Sequence, residues 1–79
     1  MGHGELTMER VIATHRMQDD FGNVYAVDEI QEYVDAEDLN GPNWLEGMKR
    51  LELEDGSAVN FVDENTFEIV STGVLIRRT

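Results

Sequence analysis

The stretch KRLELEDGSAVNFVDENTFEIVSTGVLIRR, running from Lys49 to Arg78, decides how this chain folds. Three tripeptides punctuate it: Glu54-Asp55-Gly56, Asp63-Glu64-Asn65 and Ser71-Thr72-Gly73. Each ends in Gly or Asn, the residues that most readily take up left-handed backbone. The runs between them, Lys49–Leu53, Ser57–Val62, Thr66–Val70 and Val74–Arg78, read as the strands of a meander.

Loop length then fixes which side chains share a face, because strand side chains alternate with period two. A two-residue turn at Asp55-Gly56 would set Leu53 opposite Ala58 and split the apolar residues between faces. Three-residue loops, with Gly56 left-handed in the first, avoid the split. They pair Leu51 with Val59, Phe61 with Phe67, Val59 with Ile69, Ile69 with Leu75 and Val70 with Val74. One core face is expected: Leu51, Leu53, Val59, Phe61, Phe67, Ile69 and Leu75. The opposite face carries Glu52, Asn60, Thr66 and Glu68, together with Val62, Val70, Val74 and Ile76. A sheet wet on that side does not need these last four. They are expected to be covered by the first half of the chain, as in a small closed barrel, or by another molecule.

In the first half, Val11 to Met17 is rich in β-branched residues, Asp19-Asp20-Phe21-Gly22-Asn23 is a turn cluster, and Val24-Tyr25-Ala26-Val27 resumes a strand. Residues 28–34 fit an extended strand, with Ala26, Ile30 and Val34 alternating. A capped helix over the same residues stays open. Leu39 to Trp44, with its Gly-Pro and Asn content, reads as a loop. The expected architecture is all-β: a small antiparallel β-roll or SH3-like barrel of five to six strands, built from an N-terminal hairpin and a C-terminal four-stranded meander. Residues 1–79 form a single domain in this reading. Residues 1–8 are expected to be flexible, 11–34 to be the hairpin, 36–47 the loop and 49–78 the meander.

Composition bounds the chemistry. The net charge of −11 repels nucleic acid and anionic membrane and favours basic partners. No apolar run reaches the ~18 residues of a membrane span, and no secretory leader pattern is present, so a cytoplasmic protein is expected. The absence of cysteine removes disulfides, thiol nucleophiles and thiolate zinc sites. From Asp28 to Glu46 there are seven acidic residues and no basic one. A solvated face explains such a run, and a dock for a basic partner is the sharper alternative. Lys49, Arg50, Arg77 and Arg78 gather at one end of the meander, with Lys49 and Arg77 in a row with Phe61 and Phe67. Local compensation by Asp63 and Glu64 accounts for them, and an anion-binding corner is the alternative.

Asp38-Leu39-Asn40-Gly41 resembles part of an EF-hand loop, but Ala36 and Gly47 stand where two calcium ligands belong. His15, the one internal histidine, reads as a half-buried packing residue on a strand. No metal, no cofactor and no catalytic residue is expected, and the chain does not read as an enzyme. Trp44 is either a core plug or a recognition anchor.

The run Trp44 to Leu51, with Asp55-Gly56, Val59-Asn60, Thr66 to Val70, Thr72-Gly73 and the hairpin Asp19 to Tyr25, resembles a group of small uncharacterised bacterial proteins of similar length. The resemblance covers most of the chain from Val11 onward. It rests on turn and core residues, so it implies a shared fold and no activity. The functional expectation is a small non-catalytic protein-interaction module, possible as a self-associating one, with Trp44, Val62, Val70, Val74 and Ile76 as its surface. The alternative is an acidic mimic that occupies the basic surfaces of nucleic-acid-binding proteins.

Overall fold

The computed structural model describes residues 7–35 and 43–79. Within them the chain forms β1 (Thr7–Gln18), β2 (Val24–Asp35), β3 (Trp44–Leu53), β4 (Ala58–Asp63), β5 (Thr66–Ile69) and β6 (Leu75–Arg78). All neighbours are antiparallel, and the order β1-β2-β3-β4-β5-β6 closes into a barrel as β6 returns to β1. Residues 28–35 are strand, as the alternation of Ala26, Ile30 and Val34 favoured.

The first two meander loops set the expected register. Leu53 N–H donates to Ser57 O at 2.9 Å, Leu51 faces Val59, and Gly56 has φ +86°. Phe61 faces Phe67 and Val59 faces Ile69. Asn65 departs from expectation. It has no positive φ, and an irregularity lets Asp63 pair with Thr66 instead.

The third loop corrects the reading of the last strand. Ile69 N–H donates to Val74 O, and Gly73 N–H donates to Ile69 O at 2.7 Å. The loop therefore holds four residues, Val70 to Gly73. Phe67 faces Ile76 and Glu68 faces Leu75, one residue out of the expected register. A one-residue slip turns every side chain of a strand over. Ile76, expected on the second face, is wholly buried in the core with Met17, Val27, Val59, Phe67 and Ile69. Leu75, expected in the core, is 40% exposed. Val74 packs against the core.

Strands β1, β2 and β3 run past the barrel as a three-stranded arm. The molecule measures 53 × 22 × 17 Å, with a radius of gyration of 16.0 Å. A compact chain of this length would have about 12 Å. β1 starts at Thr7 rather than Val11, and β3 starts at Trp44 rather than Lys49, so 44–47 belong to a strand and not to the expected loop. His3, residues 1–6 and the calcium-like run Asp38 to Gly41 lie outside the described residues.

Two devices hold the arm. On one face, Arg50 of β3 reaches over β2 to Glu9 of β1, donating through both terminal nitrogens at 2.8 and 2.7 Å, and donates from Nε to Glu52. Its stem crosses the strand that carries Ile30, which is 8% exposed. On the other, a bulge in β3 near Gly47 breaks the ladder opposite Glu32. Buried Gln31 repairs it: its side-chain amide donates to Glu32 O and Gly47 O, both at 3.0 Å.

Candidate functional site

Where the arm leaves the barrel, the inward-pointing residues run out of apolar cover. Along β2 the row passes from buried Val27 to Glu29, along β1 from Met17 to His15, and along β6 from Ile76 to Arg78. Lys49 and Leu51 of β3, Phe61 of β4 and Phe67 of β5 complete the wall. Together they enclose an open cavity of about 310 Å³ at the barrel mouth.

The polar members form a chain. Arg78 Nη1 lies 2.8 Å from His15 Nδ1. A guanidinium can only donate, so Nδ1 accepts and the ring proton sits on Nε2. Nε2 donates to Glu29 Oε1 at 3.0 Å. Lys49 Nζ stands 3.9 Å from Glu29 Oε2, too far for a hydrogen bond. Arg78 also donates from Nε to Glu64 O at 2.8 Å. The aromatic members pack in two ways, His15 edge to face on Phe67 and Phe61 tilted at 44° against it. His15 meets Phe67 at 5.6 Å and 87°, Phe61 lies 6.1 Å from Phe67, and Arg78 sits over the Phe67 ring at 5.9 Å. Phe67 is buried, whereas Phe61 is 65% exposed and faces the cavity.

The one-residue register change also settles which arginine reaches this row. Arg78 points inward with Ile76, and Arg77 points outward to Asp20, at 2.9 Å. Compensation of the basic group comes from Glu9, Glu52, Asp20 and Glu29 rather than from the side chains of Asp63 and Glu64. Asp63 instead accepts from the Asn65 N–H in its own loop.

The surface expected from sequence does not come together. Ile76 and Val74 belong to the core and its margin. Val62 and Val70 are about half exposed at opposite ends of the meander, with Asn60 and Glu68 between them. Trp44 begins β3 opposite Asp35, far along the arm from both, and is 42% exposed. The acidic run is divided by the pleat: Asp28 and Glu32 lie on one side of β2, Glu29 and Asp35 on the other.

Another exposed aromatic was not singled out in the sequence. Phe21, 89% exposed, tips the β1–β2 turn. Beneath it Asp19 is buried. Its carboxylate accepts from Phe21 N–H, Asn23 N–H, Asn23 Nδ2 and the Tyr25 hydroxyl, all at 2.9–3.0 Å. The Asn23 side-chain amide does most to hold this carboxyl below its usual range, and the other donors add to it against the effect of burial.

Fold and mouth together define a class: a small closed six-stranded antiparallel barrel with an aromatic and cationic opening at one end. Comparison with protein-family models, curated proteins and solved structures returns no match. Among the described residues no group of three or more His, Asp or Glu side chains could hold a metal ion.

Proposed function

We propose that this protein is a small non-catalytic binding module that receives a segment of a partner protein at the barrel mouth, with Phe61 as the anchor. The observation that carries the reading is the exposure of Phe61 on an otherwise inward-facing row, beside buried Phe67 and over a cavity. A large aromatic left in water next to an aromatic wall is the kind of feature that dominates binding energy at interfaces. Both ring nitrogens of His15 are engaged with Arg78 and Glu29, which suits a fixed wall better than a proton-transfer group.

The test is selection from a random displayed-peptide library, followed by mapping the selected peptide through backbone amide chemical shifts. Shifts should centre on Phe61, Phe67, His15 and Arg78. Phe61→Ala should abolish binding and leave thermal stability nearly unchanged. Shifts centred on Phe21 or Trp44, or binding unaffected by Phe61→Ala, would overturn the reading.

A further inference from the structure

Resting on that reading of the mouth, we infer that the partner segment it receives is acidic: a peptide carrying a single carboxylate next to a large apolar side chain. The charges at the mouth differ from those of the chain as a whole. The protein carries −11, yet two cations, Lys49 and Arg78, face this cavity against one carboxylate, Glu29. Arg50, which also borders it, is already paired with Glu9 and Glu52 on the far face. His15 is neutral in the observed arrangement, because its Nδ1 accepts from Arg78. Among the described residues the mouth therefore carries one positive charge in excess.

The donors for a balancing negative charge are at hand. Lys49 stays 3.9 Å from Glu29 and makes no hydrogen bond with it, and it is more than half exposed. Arg78 directs Nε to a backbone oxygen and Nη1 to an imidazole, so among the described residues its positive charge has no carboxylate partner of its own. A carboxylate between the two would gain charge-assisted hydrogen bonds. Glu29 sets the valence: a doubly charged phosphate would be repelled by a fixed carboxylate across the same small cavity, whereas a carboxylate completes the balance. Phe61 and Phe67 supply the apolar neighbour, so the ligand's ring or branched side chain lies beside its acid. Elsewhere the acidic surface repels such a peptide, and screening within ~8–10 Å keeps that repulsion from reaching the mouth in physiological salt.

The experiment is a backbone-amide NMR titration with two probes, acetyl-Glu-Phe-amide and its uncharged counterpart acetyl-Gln-Phe-amide. The acidic peptide should bind about tenfold more tightly, the factor that one charge-assisted hydrogen bond provides. Lys49→Gln and Arg78→Gln should each cut that ratio at least threefold (about half of the logarithmic gain). Equal affinity for the two probes, with shifts at the mouth, would overturn the acidic preference and leave the mouth as the docking site. A ratio unchanged in both variants would also overturn it. No shifts at the mouth with either probe would overturn both the preference and the reading it rests on.

Discussion

Ile76 lies directly opposite Phe67, and both are buried, at 0% and 2% exposure. Leu75, its neighbour of similar size, is 40% exposed opposite Glu68. Ile76→Ala should therefore cost about 2–5 kcal/mol, as buried branched side chains do when truncated. Leu75→Ala should stay within about 0.5–1 kcal/mol. Urea unfolding of the two variants checks the register of β6. The opposite ranking would restore the three-residue loop.

The left-handed positions give a second test. Gly56 and Gly73 have φ +86° and +74°, and a methyl group at either would meet nothing within 4 Å. Any loss on substitution is then purely conformational. Gly56→Ala and Gly73→Ala should each cost about 1–2 kcal/mol. Asn65, which has no positive φ, should accept Ala within about 0.5 kcal/mol. Thermal unfolding of the three variants separates the loops that need glycine from the one that does not.

Gln31 holds the bulge in the arm. Gln31→Leu keeps the burial and removes both donors to Glu32 O and Gly47 O, so it should cost about 1–3 kcal/mol. Gln31→Glu should cost more, because it turns an oxygen toward the carbonyl oxygens and buries a charge. Amide exchange of the two variants should quicken along β3 near Gly47 before it does in the barrel.

Acid should act through Asp19. Its carboxyl is held below the usual range in the folded chain, first by the Asn23 amide. A lowered folded value means that this stabilisation is fully present above the ordinary carboxylate range of about 4. It is lost as pH falls through the folded value. Asp19→Asn should be less stable at neutral pH and should lose less on acidification. Tyr25 provides an independent readout. Its hydroxyl donates to Asp19, which raises its pKa, and Asp19→Asn should bring the phenol titration back down.

How far the sequence could be read depended on how many alternatives each loop allowed. At Gly56 the wrong loop scattered Leu51, Val59 and Phe61, so the apolar pattern selected the right one. At Gly73 both registers place large apolar residues inward, Leu75 in one and Ile76 in the other. Pattern cannot choose between them. The choice is made by long-range closure, since β6 must lie beside β1 with Met17 opposite Arg78. The same ambiguity hid part of the mouth, since Arg77 rather than Arg78 was expected in the Phe67 row; Phe61 keeps its expected register opposite Phe67 but lies at the open end, 65% exposed instead of in the core. Trp44 to Gly47 reads as part of the loop that the Gly-Pro and Asn content of Leu39 to Trp44 marks. The bulge and the Gln31 amide are what make a strand possible there. His15 was readable as half buried, but its link between Arg78 and Glu29 joins residues 63 and 14 positions away. No local pattern carries such a link.

The seam between β1 and β6 is short, with Met17 opposite Arg78 and Gln18 opposite Arg77, and one further bond from Thr79 N–H to Arg16 O at 3.5 Å. So narrow a closure is where the barrel should open first, in a local fluctuation well below global unfolding. Arg78 belongs both to that seam and to the mouth. Each opening thus dismantles the wall that a bound segment would touch, and occupancy of the mouth must in turn hold the seam shut. The barrel's weakest join and its binding end are then one thermodynamic unit, and a ligand would tighten the fold from its looser side.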